Sequence, residues 1–163
     1  MDDFEPWYEE QRPRVLSACF ALGGDADAAR EATDEAFTRA LERWRKVQAM
    51  TAPGGWVQVV ALNHLRRGWR RRRLERVAFT TGTSRVAVAS PPPDAELWMV
   101  VSALPTRQQT VVILRYVHDL PEAAIAEAMG VARGTVASTL SAAHANLRRR
   151  MTEPIITEEP IHG

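Results

Sequence analysis

The sequence predicts an all-α protein of two small domains, an N-terminal helical bundle and a C-terminal helix-turn-helix domain, joined by a Pro-rich linker. Apolar residues recur at spacings of three, four and seven through most of the chain, the period of amphipathic helices. One long interruption, residues 80–96, is rich in Thr, Ser, Gly and small apolar residues and contains Pro91-Pro92-Pro93, which cannot continue a helix. Beyond it, residues 120–147 carry a glycine-centred spacing that two crossing helices require. The expected division is 1–79, a linker at 80–96, 97–150, and an acidic, disordered tail at 151–163.

Residues 4–22 place Trp7, Tyr8, Val15, Leu16, Cys19, Phe20 and Leu22 on one stripe, as an amphipathic helix or, given Pro13, a kinked pair. Gly23 and Gly24 stop it, and Asp25 or Asp27 can cap the next helix. That second helix is expected from Ala28 to Val47. Ala32, Ala36, Phe37, Ala40, Leu41 and Trp44 form its apolar face, and its acidic first half and basic last turn match the helix dipole. Ala52-Pro53-Gly54-Gly55 reads as a break, and a third helix is expected from Trp56 to Arg73.

After the linker, Leu97, Val100, Val101 and Leu104 mark a short helix, with further helices at Arg107–Val117, Pro121–Met129 and Thr135–Arg150. Val86–Ala89 has the composition of a short strand but no evident partner strand.

The net charge of +1 conceals a strong asymmetry. Residues 1–60 sum to −4, residues 61–79 to +6, residues 101–150 to +3 and residues 151–163 to −3. Six arginines (Arg66, Arg67, Arg70, Arg71, Arg72 and Arg73) fall within residues 66–73. A favourable dipole accounts for a few cations at a helix end, but this density repels itself and suits a track of phosphates. Trp56 and Trp69 could stack bases, although a tryptophan on an apolar stripe is more often core.

Residues 120–147 hold Ala126 where two helices must cross, Gly130 at the turn and Val136 to pin the second helix, with Ile125, Val131 and Leu140 completing the core. Arg133, Thr135, Ser138 and Thr139 would then approach a major groove or its phosphates. A plain helical hairpin with a glycine turn is the competing reading.

Several classes are excluded or disfavoured. No apolar run reaches the roughly 18 residues that cross a membrane. The acidic start, with Asp2, Asp3 and Glu5, does not read as a secretory signal. Cys19, the only cysteine, sits among Val15, Leu16 and Phe20 and reads as a core residue in a reduced, cytoplasmic protein. His64, His118, His144 and His162 are scattered, so no metal site is predicted. No phosphate-binding glycine loop, catalytic set or cofactor is predicted either, and the chain is not expected to be an enzyme.

Taken together, these stretches resemble the extracytoplasmic-function group of bacterial sigma factors, in the sigma-70 family. The likeness rests on Arg12-Pro13-Arg14-Val15-Leu16, Gly24-Asp25-Ala26-Asp27-Ala28-Ala29, Asp34-Glu35-Ala36-Phe37, Arg43-Trp44 and Gly55-Trp56-Val57 in the first half. In the second it rests on Leu104-Pro105-Thr106-Arg107-Gln108, Leu120-Pro121-Glu122-Ala123-Ala124-Ile125-Ala126 and Gly130-Val131-Ala132-Arg133-Gly134-Thr135-Val136. Two matched modules in the right order are more specific than either alone.

The resemblance implies a promoter-specific initiation factor. Asp34, Glu35, Phe37, Thr38 and Leu41 would dock on the clamp coiled coil of the largest subunit of core RNA polymerase. The loop Val47–Pro53, with Asn63, His64, Arg66, Arg67, Arg70 and Arg71, would hold the melted −10 strand of promoter DNA. Arg133, Thr135, Ser138 and Thr139 would read the −35 duplex, and an anti-sigma factor would be a further partner. The sequence departs from the family's usual lysines and arginines on the recognition helix, with Ala137, Thr139 and Ala143, which predicts weak independent duplex binding. Two other readings remain: a helix-turn-helix regulator that never touches polymerase, and a sigma-like interaction module dependent on a partner.

Overall fold

The structure, a computed structural model, describes residues 3–78 and 94–152. The Val86–Ala89 segment, the three consecutive prolines and residues 153–163 of the expected tail lie outside the described residues. Among the described residues there are eight helices and no strand.

Helix α1 (Phe4–Gly23) runs unbroken past Pro13, whose exposed position lets water satisfy the carbonyl that its missing N–H leaves free. It ends at Gly24, in the left-handed region at φ 69°, whose N–H donates to Phe20 O at 2.7 Å. Of the two candidate caps, Asp25 is the one used. Its Oδ1 accepts from the Asp27 and Ala28 amides at 3.0 and 3.1 Å, starting α2 (Ala26–Glu42) two residues before the expected position.

The inner face of α2 is a stripe of alanines: Ala29, Ala32, Ala36 and Ala40 have no exposed surface. Small side chains let α2 lie close to α1 and α4, its main neighbours. The second helix does not continue to Val47. It breaks at Arg43 (φ −117°, ψ 24°), and a single turn, α3 (Trp44–Val47), comes next. The break carries the Trp44 ring to within 5.1 Å of Phe4 and 4.8 Å of Trp7, in an aromatic cluster that also takes in Tyr8 and Phe37.

Helix α4 (Pro53–Ala78) begins three residues before the expected position. Pro53 suits a first helical position, where its missing N–H costs nothing. Gly54 and Gly55 therefore lie inside the helix rather than breaking it, and they serve as points of close approach. A Cβ on Gly54 would collide with the Gln11 side chain, and one on Gly55 would lie 2.7 Å from Leu120 Cδ1.

The second half comprises α5 (Ala95–Ser102), α6 (Thr106–Tyr116), α7 (Glu122–Met129) and α8 (Arg133–Thr152). Ala95 and Glu96, expected in the linker, are already helical, and α8 extends through Met151 and Thr152, expected in the tail. Val111, Leu114, Ile125, Ala126, Val136 and Leu140 form the core of the helix-turn-helix unit. Gly130 turns it at φ 67°. Gly130→Ala forces a Cβ into left-handed backbone and is expected to lower stability by about 1–2 kcal/mol, measured by urea unfolding; an unchanged midpoint would refute that strain.

The two halves pack against each other. Val101, Leu104, Val112, Ile113 and Ala143 join the same buried cluster as Val15, Leu62 and Leu65. Helix α4 lies against α6 and α7, and α1 against α5.

Candidate nucleic-acid interface

The outward face of α2 presents Asp34, Thr38 and Leu41 to solvent, while Glu35 is half-buried. Glu35 is held by Arg39 Nε at 3.0 Å, and Asp34 faces Arg12 at 3.4 Å. Phe37 differs from these neighbours. It is only 3% exposed, with its ring 4.9 Å from that of Tyr8 and 5.5 Å from that of Trp7. It is a bundle core residue, because the 3.6-residue period turns it toward α1 while its neighbours face water.

On α4, Asn63, Arg67, Arg70, Arg71 and Arg73 are exposed. His64 is half-buried, 3.6 Å from the Glu31 carboxylate, and Arg72 lies 3.5 Å from Asp25. Arg66 does not stand on a free ridge with Arg70 and Arg73. Helix α6 packs over its turn, leaving Arg66 8% exposed. Its Nη2 donates to Thr106 O (3.0 Å), Gln109 Oε1 (3.2 Å) and Thr110 Oγ1 (3.0 Å), while its Nε is buried without a partner. Burial pushes its pKa down to about 10. All three acceptors are uncharged, so this guanidinium is desolvated without an ion-pair partner. Trp56 and Trp69 pack half-buried against the core.

Below this arginine, the loop before α4 and one side of α4 form a groove of about 640 Å³, lined in part by Val47, Met50, Trp56, Val60 and Asn63. Its far wall is α7, through Glu127, Ala128 and Met129. The Thr51 amide donates to Glu127 Oε2 at 3.2 Å, tying the loop to that wall. Behind it, the buried His118 donates from Nε2 to Gln58 Oε1 at 2.8 Å, and Gln58 Nε2 faces Cys19 Sγ at 3.6 Å. Burial pulls His118 down to about 4 and lifts the Cys19 thiol to about 11, so both are neutral near pH 7.

On α8, Arg133 and Ser138 are exposed and Thr135 and Thr139 are half-buried. Arg133 lies 3.8 Å from the Glu122 carboxylate. The Ser138 and Thr139 hydroxyls donate to Thr135 O at 3.1 and 2.6 Å, turned back onto their own helix. Ala143 has no exposed surface, so it is a core position that no arginine could use for a phosphate; Ala137 does face water. Cations reappear on α8 at Arg148, Arg149 and Arg150. No three His, Cys, Asp or Glu side chains among the described residues are grouped to hold a metal, and none of the described helices is long and apolar enough to cross a membrane.

Sequence reasoning missed the residues that join the two halves: Gln58, Thr106, Gln109, Thr110, Leu120 and Glu127. One signal was present. Gln58 interrupts Val57, Val59 and Val60, and a polar residue inside an apolar run needs a buried partner.

The sequence matches the Sigma-70 region 2 family over residues 7–75 and the Sigma-70 region 4 family over residues 94–147. It is 27% identical over 157 residues to an RNA polymerase sigma-E factor of Streptomyces coelicolor, covering 91% of this chain and 86% of that protein. An RNA polymerase sigma-E factor of Streptomyces avermitilis is 27% identical over 156 residues, covering 91% of this chain and 85% of that protein. The fold is similar to that of the sigma factor RpoE of Bartonella quintana, solved in complex with the anti-sigma factor NepR. The TM-score is 0.72 at 17% identity, covering 93% of this chain and 98% of that one.

Proposed function

The chain belongs to the extracytoplasmic-function group of the sigma-70 family, a promoter-specific transcription initiation factor and not an enzyme, and on that premise we propose which surface does what. The exposed face of α2, with Asp34, Glu35, Thr38 and Leu41, docks on the clamp coiled coil of core RNA polymerase. Phe37 contributes by holding that face in place. Asn63, His64, Arg66, Arg67, Arg70 and Arg71 of α4, with the loop before it, hold the melted −10 strand. Arg133, Thr135, Ser138 and Thr139 approach the −35 duplex. Residues 1–79 and 97–150 act as the two binding domains, and the factor works in the cytoplasm.

The observation that carries this assignment is the groove beside the loop. It is roomy enough for a base and is lined in part by Trp56 and by two cations, Arg43 and Lys46, and the exposed Arg67 follows its lining residue Asn63 one turn later on α4. Phosphates would pair with Arg67, Arg70 and Arg71, and the strand would run along them. An anti-sigma factor, which the Bartonella factor is solved with, would mask these same surfaces and is a partner we assign here.

The test is run-off transcription from a library of promoter fragments with purified core polymerase. Arg66, Arg67 and Arg70 replaced together by alanine should cut specific transcripts at least about tenfold. Because Arg66 is buried, an Arg67, Arg70 and Arg71 variant serves as a companion whose changes all lie at exposed positions. Full transcription by both would overturn the −10 assignment. A second reading, a partner-dependent factor, is favoured by one observation: the exposed start of α8 carries Ala137 and Ser138 and only one cation, Arg133. It predicts core binding without transcripts.

A further inference from the structure

The helical period divides the arginines of α4 between two flanks. Arg67 and Arg70 continue the face of Asn63, which lines the groove beside the loop. His64, Gly68, Arg71 and Arg72 fall on the flank turned toward α2, where with Ala28 and Glu31 they line a separate notch of about 50 Å³. A space of that size holds a few water-sized atoms, which is room for a tetrahedral oxyanion.

The chemistry of the lining favours negative charge. Two guanidiniums and an imidazole supply donors, and Ala28 belongs to the first turn of α2, the end of that helix where the macrodipole is positive. Two carboxylates are near, yet neither closes onto these donors. Arg72 Nη1 lies 3.5 Å from Asp25 Oδ2 and His64 Nε2 lies 3.6 Å from Glu31 Oε1, against about 2.8 Å for a charge-assisted hydrogen bond. The other oxygen of Asp25 is committed to the Asp27 and Ala28 amides that it caps. Glu31 is exposed and can turn into water. Arg71 has no ion-pair partner among the described residues. Gly68 completes the notch by having no side chain to fill it, and a Cβ there would meet Arg72 Nη2 at 3.5 Å, an ordinary contact.

We propose that this notch is an oxyanion site for a phosphate group, with Arg71 and Arg72 as its charged ligands and His64 as a third donor. The phosphate is either one of the promoter backbone, in which case the inference rests on the −10 assignment above, or one free in solution, in which case it does not. Once seated, it bridges α4 to the first turn of α2 and relieves the mutual repulsion of Arg70, Arg71, Arg72 and Arg73.

Thermal melts of the full chain test the site, in about 20 mM sodium phosphate and in sodium chloride of matched ionic strength. The wild type should melt about 3 °C higher in phosphate. Arg71→Gln with Arg72→Gln should abolish that gain. Arg70→Gln with Arg73→Gln, which removes the same charge from exposed positions outside the notch, should keep it. An equal gain in all three proteins would reduce the effect to the general stabilisation that phosphate salts give and overturn the proposal.

If the Arg71 and Arg72 variant does not fold, Gly68→Glu decides. It replaces a glycine in a helix interior, where glycine is itself unfavourable, and places a carboxylate in the notch. The phosphate gain should vanish in this variant, and its survival at full size would overturn the site.

The source of the phosphate is read from a fluorescein-labelled random single-stranded DNA 12-mer bound to factor assembled with core polymerase. A promoter phosphate in the notch makes Gly68→Glu bind several-fold more weakly than Arg73→Gln, which shifts net charge equally. Equal affinity of those two assigns the notch to free phosphate. Failure of the −10 assignment reads differently, because exchange of Arg67, Arg70 and Arg71 would then leave 12-mer binding intact while the phosphate gain of the wild type stands.

Discussion

Phe37→Ala is expected to destabilise the N-terminal bundle rather than merely to weaken polymerase docking. Its ring is enclosed by Trp7 and Tyr8, with Trp44 and Phe4 completing the cluster. Removing a buried phenylalanine costs about 3–5 kcal/mol, because the cavity left behind collapses only in part. For a chain of this length that corresponds to a fall in Tm of roughly 10 °C. Leu41→Ala, one turn further along α2 at a 43% exposed position, is the contrasting case. It should leave Tm within about 2 °C and weaken core polymerase binding about tenfold. Circular dichroism melts and a polymerase binding titration separate the two. A docking defect in Phe37→Ala with an unchanged melt would show that the cluster tolerates the loss, and would return Phe37 to the surface assignment.

Acidification should loosen the protein through His118. Burial holds its folded pKa near 4, against about 6.5 when exposed. The fold therefore favours the neutral ring. Its contribution is complete above about pH 6.5, declines as pH falls toward 4 and is gone below that. The shift corresponds to roughly 3 kcal/mol at most. Carboxylates titrate over part of the same range, so the informative quantity is the difference between wild type and His118→Gln. The amide can still donate to Gln58 Oε1 but takes up no proton. Urea unfolding at pH 7 and pH 4.5 should show a smaller loss of stability in the variant. Equal losses would mean that His118 is hydrated in solution and that the interdomain contact at Gln58 is looser than the 2.8 Å hydrogen bond implies.

Much of this architecture was legible in the sequence because helical periodicity is local. Spacing alone placed α1, α6, α7 and α8 and the turn at Gly130, whose special backbone only glycine or a few polar residues accept. A stop at Gly23-Gly24 and a cap at Asp25 or Asp27 are readable for the same reason, and the structure uses Gly24 and Asp25. The break at Arg43 was not legible. It exists because Trp44 is drawn into an aromatic cluster whose other members lie on α1 and α2, and no window of neighbouring residues contains that information.

Gly54 and Gly55 show the opposite failure. Local reasoning treats a glycine pair after proline as a break, whereas here the missing Cβ atoms admit Gln11 from one helix and Leu120 from the other domain. Arg66 is the most instructive case. Its place among six arginines in residues 66–73 suggests an exposed phosphate track, but which of them α6 covers depends on how the two domains meet. Composition carries no trace of that.

The alanine stripe of α2 separates two kinds of constraint along one helix. Ala29, Ala32, Ala36 and Ala40 occupy an interface with no room for another methyl group, so that side is fixed by volume. One residue away, Arg30, Glu31, Asp34 and Thr38 look outward, with partly exposed partners such as Arg12 and His64. Descendants of this chain could exchange those outward charges without disturbing the packing beneath. The affinity for a binding partner can thus drift, or be retuned by selection, over a scaffold that does not change.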